Sequence, residues 1–528
     1  MFTGTLKPYQ VEAVSRMVGE KKMLVAYEMG LGKTCMTIAA LEKLNDTGQI
    51  QKGPILVIAL SSLKYQWQKE IAKFCTGVVS TVVDGNKQQR TQQYEDGQKS
   101  DYVITNYESI VNDWEIVSRY FWGAVVCDEA TAIKGFRSKR SKRVKDLSRN
   151  VAIKFALTGT PIENGKPEEL YSIMQFVNPN LLGRFDLFDQ TFIVRNHFGG
   201  VQRYRNLPIF HEKMKQASVR KVQTDPDVAP YLPSVIYRDP ILVKFDSAGR
   251  KLYNFIVEEL KNELVEAQQL LGAGFSIAAH YGEGYKPGSP ADMMRGSIMS
   301  KITALRMVCD NPYILANSGA NYDGTKGSAY ANYLWNNGHI KVKGMGVPKL
   351  DAVVQYVNEH LETDADAKVV IFASYLDAVA TIYDRLGGTL YTGQMNSKEK
   401  EASKEKFLTD PDCRVFISSD AGGYGVDLPN ANLLINYDLP WNAGLAVQRN
   451  GRIKRTSSRW PTITIQDFLM QGSIEERQHD MLQQKNAVAD AVLDGTGINS
   501  RGGVDLTVGS LLNFISQTKV GGADGTSI

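Results

Sequence analysis

Residues 25–41 read VAYEMGLGKTCMTIAAL: an apolar strand, a turn with two glycines, and a helix-forming run. The turn ends on Gly32, Lys33 and Thr34, a chemistry suited to phosphate. A helix N-terminus offers an anion both unpaired N–H groups and the positive end of the helix dipole. Gly30 and Gly32 let the backbone approach phosphates, Lys33 can reach β and γ oxygens, and the Thr34 hydroxyl can ligate Mg²⁺. The strict cradle pattern places a glycine five residues before Gly32, and Tyr27 stands there instead.

Two further stretches carry complementary chemistry. AVVCDEATAIKG sets Asp128 and Glu129 at the end of an apolar strand, where the carboxyl edge of a parallel sheet meets ligands. Adjacent carboxylates there can divide the labour. Asp128 would hold Mg²⁺, directly or through water, and Glu129 would orient and deprotonate an attacking water. NAGLAVQRNGRIKRTSS spaces Gln448, Arg452 and Arg455 as Q-x-x-x-R-x-x-R, which on a helix is one face. Such a face can present guanidinium groups to a γ-phosphate held by another part of the chain, a contribution of roughly 10³–10⁵ in rate. Taken singly, the segments also fit an ordinary glycine turn, a solvated strand end and a solvated basic helix. Their order in one chain carries the inference.

The elements needed to position these groups are legible around them. KMLVAY, PILVIAL, DYVITNY, WGAVVCDE and KFALTGT alternate with amphipathic stretches up to about residue 175, the rhythm of a parallel sheet wrapped by helices. Residues 162–235 read as a mainly helical insertion, followed by one more strand in SVIYRDPILVKF. The run GRKLYNFIVEELKNELVEAQQLL is helical, and glycine-rich stretches near 272–296 and 317–346 read as loops. A second strand–helix rhythm begins near 349 with KVVIFASY, GTLYTG, CRVFISSD, NLLINYD and TITIQDF. The fold class is α/β, with two similar parallel-sheet lobes, helical insertions between them and a C-terminal helix. The expected division is 1–245 for the nucleotide lobe, 246–345 for a helical protrusion and linker, 346–480 for the second lobe, and 481–528 for a helix and frayed tail.

At 528 residues the chain exceeds one hydrophobic core. A net charge of +4, from 61 basic and 57 acidic residues, does not by itself imply nucleic acid. Six basic residues between 137 and 145 (Arg137, Lys139, Arg140, Lys142, Arg143, Lys145) do gather charge locally, and fit either a solvated helix or a phosphate track. The five cysteines are scattered without a CxxC pair, so buried thiols are expected rather than a disulfide or zinc framework. With no signal-peptide or membrane-spanning run, a soluble intracellular protein is expected.

In this order the segments resemble the superfamily two helicase-like ATPases, and among them the SWI/SNF family of double-stranded DNA translocases. LKPYQVEAV resembles the family's opening segment, YEMGLGKT its motif I, LVIALSSLKYQWQKEI its motif Ia, VITNYESI its motif Ib, and LTGTPIENGKPEELYSIMQFVNP its motif III. LRMVCDNPYIL and SSDAGGYGVDLPNANLLINYDLPWN are similar to its linking signature and its motif V, including an Asp-x-x-Trp-Asn signature at Asp438, Trp441 and Asn442. The missing first glycine is a family habit. Departures are Tyr27 for Asp, Leu60 for Pro, Thr131 for His, Asn311 for His, Asp427 for Asn and Lys454 for His. Thr131, Asp427 and Lys454 matter most, and none of these three removes a group that hydrolysis needs.

The resemblance implies two RecA-like lobes with ATP and Mg²⁺ between them. It places Gln10, Glu28, Met29, Gly30, Leu31, Gly32, Lys33, Thr34, Gly425, Asp427 and Gln448 around ATP, with Gln10 reading adenine. Lys33, Asp128, Glu129, Arg452 and Arg455 would be catalytic, and Thr34 and Asp128 would hold the metal. Thr158, Gly159 and Thr160 would relay the nucleotide state. Phosphate contacts along a nucleic acid would come from Ser61, Ser62, Lys64, Thr105 and Asn106 in lobe one and from Ser374, Gly393, Ser418 and Ser419 in lobe two. Trp441 would be a strand-facing or interface prop.

The expected function is an ATP-driven motor on double-stranded or branched DNA. Two alternatives stay open: a strand-separating helicase acting on forks, R-loops or RNA, and an ATP-gated nucleic-acid clamp with weak hydrolysis. A monomer without membrane partners is expected. Because the chain opens almost at Gln10 and ends soon after lobe two, a compact enzyme of a bacterial or virus-infected cytoplasm is expected over a nuclear one.

Overall fold

The computed structural model describes residues 1–50, 53–195, 201–275, 277, 288–341, 343–420, 426–493 and 507–518. Its first sheet is built from β1 (Lys22–Tyr27), β2 (Ile55–Ala59), β3 (Ser80–Val82), β4 (Tyr102–Asn106), β5 (Ala124–Asp128) and β6 (Ile153–Leu157). A two-stranded antiparallel hairpin of β7 (Ile193–Arg195) and β8 (Val201–Tyr204) follows, and β9 (Ser218–Lys221) then returns to the first sheet. That sheet runs β3-β4-β2-β5-β6-β1-β9, every pair parallel. The second sheet comprises β10 (Ser234–Tyr237), β11 (Ile241–Val243), β12 (Val369–Ala373), β13 (Thr389–Tyr391), β14 (Val415–Ser419), β15 (Leu433–Asn436) and β16 (Thr462–Met470). It runs β10-β16-β15-β12-β14-β13, also parallel, with β11 beside the far half of β16.

Both sheets are covered on two faces, which explains why their strands read as continuous apolar runs. The pleat sorts β1 between two clusters. Met23, Val25 and Tyr27 face the helices Pro8–Glu20, Lys33–Asp46 and Lys64–Phe74, while Leu24 and Ala26 face the core shared with Glu168–Val177. In lobe two, Val369, Ile371 and Ala373 join one core and Val370 and Phe372 the other. The linker helices Ser247–Leu271 and Pro290–Asp310 bury Ile256, Leu260, Ile302 and Leu305 in the same cluster as β12, so the linker and lobe two share a core. The first of these helices starts where the Asp246 carboxylate accepts from the N–H of Gly249, the second where Ser289 accepts from that of Asp292, each satisfying an otherwise unpaired helical donor.

Four expectations need correction. The strand segment in 234–245, assigned to the nucleotide lobe, pairs with β16 in the second sheet. Its edge partner lies more than two hundred residues downstream, beyond the reach of local patterning. The insertion 162–235 is not uniformly helical, since it holds β7, β8 and β9. The stretch 317–346 contains the helix Ala329–Asn336, capped by Ser328. The tail expected to fray contains the helix Val508–Thr518, whose Leu511 and Ile515 are buried. Backbone N–H groups of Val508 and Gly509 donate to the carbonyls of Phe275 and Ala273, fixing its start beside the long linker helix. Among the described residues no helix is long and apolar enough to cross a membrane.

Candidate functional site between the two lobes

The residues singled out for phosphate chemistry gather at the carboxyl edge of the first sheet. β1 ends at Tyr27, the chain turns through Gly30 (φ 78°) and Gly32 (φ 83°), and a helix begins at Lys33. A Cβ on Gly32 would lie 2.4 Å from Nε2 of Gln10, and one on Gly30 would lie 3.0 Å from the Lys454 carbonyl and 3.2 Å from Arg455 Nη1. Both positions therefore need glycine for close approach as well as for positive φ. Gln10 is buried, its Nε2 donating to the Leu31 carbonyl at 2.9 Å and its Oε1 accepting from the Lys7 N–H at 2.8 Å. This ties Gln10 to the turn that precedes Lys33. Lys33 Nζ donates to the carbonyls of Tyr27 (2.8 Å) and Glu28 (3.2 Å). Burial pushes its ammonium pKa down, opposed by Glu129 and Asp128 and reinforced by Arg455. Tyr27, the departure at motif I, buries its side chain in the core, where its hydroxyl donates to the Tyr9 carbonyl at 3.0 Å.

Asp128 closes β5. Its Oδ2 accepts from the Trp67 indole at 2.7 Å and its Oδ1 from the Glu129 N–H at 3.0 Å. Burial raises its pKa, opposed by Trp67 and Lys33. Glu129 sits at φ 47°, a left-handed conformation rare for a residue with a side chain. Burial, then the neighbouring Asp128 charge, pushes its carboxyl up to about 7. Its Oε2 is sealed from solvent without a hydrogen-bond partner, an expensive arrangement for an acceptor. Two adjacent carboxylates, one with an orphan oxygen, close to the Lys33 ammonium are a donor set that fits Mg²⁺ with a polyphosphate, since Mg²⁺ takes one or two protein oxygens and completes its shell with phosphate and water.

Lobe two supplies the other wall. The helix Ala443–Asn450 starts where the Asn442 side chain accepts from the Leu445 N–H at 3.1 Å. The helix ends at Asn450, so Arg452 and Arg455 lie in the segment beyond it and not on one helical face with Gln448. From there Arg452 lowers the pKa of Glu129 electrostatically, and Arg455 lies against Gly30 with its Nη2 2.5 Å from Asp427 Oδ1. Gln448 Nε2 faces Thr160 Oγ1 at 3.5 Å, and the hydroxyl of buried Thr158 accepts from the Thr160 N–H at 3.2 Å. Asn442 Nδ2 donates to Glu163 at 3.2 Å, and the Gly444 N–H donates to the Glu163 carbonyl at 3.1 Å. Lys33, Glu129, Arg452, Arg455 and the Thr158–Thr160 loop thus meet in one interlobe cleft. Glu28 turns toward β9, its Oε2 accepting from the Gln223 N–H at 2.8 Å, whereas the Met29 side chain lies in the cleft against Gly159 and Gly451, its carbonyl accepting from Gln223 Nε2 at 2.7 Å. Gly425 lies outside the described residues.

The residues expected along a nucleic-acid track all sit at or just beyond carboxyl ends of strands, but not all offer their side chains. Ser61, Ser62 and Gly393 are exposed. Ser62 opens onto solvent beside Ser61, which accepts from Asn106 Nδ2 at 3.5 Å. Asn106 also caps the helix Tyr107–Asn112 through Ser109 N–H. Lys64 is turned inward, its ammonium held by the Val83 carbonyl at 2.8 Å and Asp84 at 2.9 Å. Thr105 is buried against the Tyr94 hydroxyl at 2.7 Å, and the Ser418 hydroxyl is consumed by the Tyr391 carbonyl at 3.0 Å. The Ser419 hydroxyl accepts from the Gly393 N–H at 3.3 Å. Ser374 donates to Asp438 Oδ1 at 2.7 Å. Trp441 packs against the core shared by the linker and lobe two, with the Arg306 guanidinium 5.8 Å from its ring. In the basic run, Lys145 is spent on Ser172 and Gln175, and Arg143 stacks on Trp114 at 4.3 Å, whereas Arg137, Lys139 and Lys142 face solvent.

Two functional positions escaped the motif reading. Trp67, inside LVIALSSLKYQWQKEI, orients Asp128. Arg449, next to Gln448, is fully buried and donates to Asp420 (2.6 and 2.9 Å), to the Asp438 carbonyl (2.6 Å) and to Ser374 (3.2 Å). Burial works against the charge of Asp438, yet Arg449, Arg306 and Ser374 hold its pKa below the ordinary value. One guanidinium therefore ties the edges of β12, β14 and β15 to the helix that leads into Arg452 and Arg455. A cluster of acidic partners around an internal arginine leaves no local signature beyond the arginine itself.

The family model of the SNF2-related domain matches residues 9–314, and that of the helicase conserved C-terminal domain matches residues 348–457. The ISWI chromatin-remodeling complex ATPase CHR11 of Arabidopsis thaliana is 25% identical, over 93% of this chain and 43% of its own length. The putative ATP-dependent helicase/translocase YwqA of Bacillus subtilis is 23% identical, over 93% of this chain and 49% of its own. The chain thus spans under half the length of these curated relatives. Among solved structures, the Sulfolobus solfataricus SWI2/SNF2 ATPase core in complex with dsDNA is 23% identical, with 94% of each chain covered and a TM-score of 0.41. With more than half its length matched by that first model, the chain belongs to the SNF2-related domain family.

Proposed function

We propose that this chain is an ATP-driven motor that hydrolyses ATP between its lobes to move along, or remodel, double-stranded or branched DNA. The observation that carries this reading is the meeting of Arg455 with the phosphate turn at Gly30, with Arg452 acting on Glu129 from the same side. A triphosphate in that cleft would be held by lobe one through the N–H groups at the start of the helix Lys33–Asp46 and by Lys33. Lobe two would present Arg452 and Arg455 to it. Glu129 would orient the attacking water and accept its proton, Asp128 holding the carboxylate pair in place through Trp67. Mg²⁺ would be held by Thr34 and Asp128 and would neutralise phosphate charge. Hydrolysis then depends on both lobes being in place, and loss of the γ-phosphate removes what draws the arginines toward the turn.

Binding to a nucleic-acid backbone is supported by exposed Ser61, Ser62 and Gly393 at the same sheet edges and by exposed Arg137, Lys139 and Lys142. Backbone contacts of this kind position a motor without reading sequence, and their affinity falls steeply with salt. The test is ATP turnover across duplex, single-stranded, forked and RNA ligands at low and high salt. Strong stimulation by duplex or forked DNA, fading as salt rises, is expected. Equal turnover with and without DNA at low salt would count against a motor, and turnover unchanged in Lys33→Ala would assign the hydrolysis to a contaminant.

A further inference from the structure

Four successive carbonyls, from Ala26 to Met29, lead into the phosphate turn, and each is held by a side chain from outside that run. Lys33 takes two of them, Tyr27 and Glu28. The other two go to residues at and just beyond β9. Arg220 Nη1 donates to the Ala26 carbonyl at 3.0 Å, and Gln223 Nε2 donates to the Met29 carbonyl at 2.7 Å. The same segment grips the intervening Glu28 on three sides. Its N–H donates to the Lys221 carbonyl at 3.0 Å, its Oε2 accepts from the Gln223 N–H, and its Oε1 lies 3.8 Å from Arg220 Nη2. Arg220 also reaches the Gly159 carbonyl at 3.5 Å, so one side chain spans the end of β1 and the LTGTP loop.

This arrangement has a consequence for nucleotide binding. Lys33 is the cation that phosphate chemistry demands, and its three donors serve a bound triphosphate at the expense of one or both of the Tyr27 and Glu28 carbonyls. The turn is then retained by the contacts from β9 and Gln223. We propose that Arg220 and Gln223 are positioning residues of the nucleotide site. Gln223 holds the turn in its phosphate-accepting shape when Lys33 is engaged, and Arg220 ties that shape to the relay loop at Gly159. The inference rests on the ATP reading above.

The test uses the full chain. Gln223→Glu preserves size but replaces the donor to Met29 by an acceptor, and Arg220→Lys preserves charge but cannot span Ala26, Gly159 and Glu28 together. Gln223→Glu is expected to raise KM for ATP about tenfold, the equivalent of one lost hydrogen bond to the turn, with kcat at saturating ATP retained. Arg220→Lys is expected to lower the ratio of DNA-stimulated to basal kcat severalfold. A purely structural role would lower the unfolding temperature without moving KM or the stimulation ratio, and that outcome overturns the proposal. Should Gln223→Glu not fold, Gln223→Ala is read by the same criterion. A parent chain without ATP turnover would sink the ATP reading itself, whereas a turning-over parent with indistinguishable variants would sink this inference alone.

Discussion

Replacing Glu129 by Gln should trade activity for stability, with an amount that depends on pH. The Glu129 carboxyl is held up to about 7 against an ordinary value of 4.5, by burial and by Asp128. At about 1.36 kcal/mol per pH unit, keeping it ionised in the folded protein costs about 3 kcal/mol. The sign follows from proton counts. Below pH 4.5 both folded and unfolded chains carry the proton and the residue is neutral to folding. Between pH 4.5 and 7 the unfolded chain releases it while the folded chain retains it, so stability falls as pH rises. Above 7 the full penalty is present. Glu129→Gln removes the titration, so the gain should be near zero at pH 4 and about 2–3 kcal/mol at pH 8, or several degrees in unfolding temperature for a lobe of this size. Turnover should fall by roughly 10²–10⁴, the usual worth of a general base. Thermal unfolding of both proteins without nucleotide at the two pH values, with steady-state ATP turnover beside it, checks both halves. An equal stability difference at pH 4 and pH 8, or full activity in the variant, would refute the reasoning.

Arg455→Ala removes the guanidinium that lies on Gly30 and pairs with Asp427. It should lower turnover about 10³-fold with and without DNA alike, read by single-turnover hydrolysis. Trp67→Phe keeps the buried ring but deletes the indole N–H that donates to Asp128. The Asp128 pKa should rise further, moving the acid limb of the pH–rate profile to higher pH, and an unmoved limb would argue that Trp67 only packs. Tyr27→Phe loses the hydroxyl bond to the Tyr9 carbonyl and should cost about 1 kcal/mol of stability in denaturant titration. Its ATP turnover should stay at the parent value, because Lys33 uses the Tyr27 carbonyl rather than its ring.

Much of the interlobe cleft was legible in the sequence because several of its members are set by short-range rules. Glycine pairs before Lys-Thr and carboxylates at the end of an apolar strand encode their own geometry. The helical reading of Q-x-x-x-R-x-x-R holds only at Gln448, because the helix ends at Asn450 and Arg452 and Arg455 reach the cleft from the segment that follows. The track residues were less legible, because a hydroxyl at a strand end can point either way. Thr105 turns in because Tyr94, on the helix Lys87–Gly97, offers it a hydroxyl, and Lys64 turns in because Asp84 and the Val83 carbonyl wait on a neighbouring loop. Arg449 was invisible for a related reason: Asp420, Asp438 and Ser374 reach it from three strands. Edge pairing was the least legible of all, since SVIYRDPILVKF announces a strand but says nothing of which sheet it will join.

That edge pairing bears on how the molecule can be taken apart. A fragment beginning at residue 246 would contain every strand of the second sheet except β10 and β11, leaving β16 with a bare row of N–H and C=O groups. Such a row invites any extended segment to dock, and the segment best matched to it is 234–243 of an intact copy. An isolated C-terminal half cut there would therefore be sticky toward the full-length chain, whereas one cut just before Ser234 would carry its own plug.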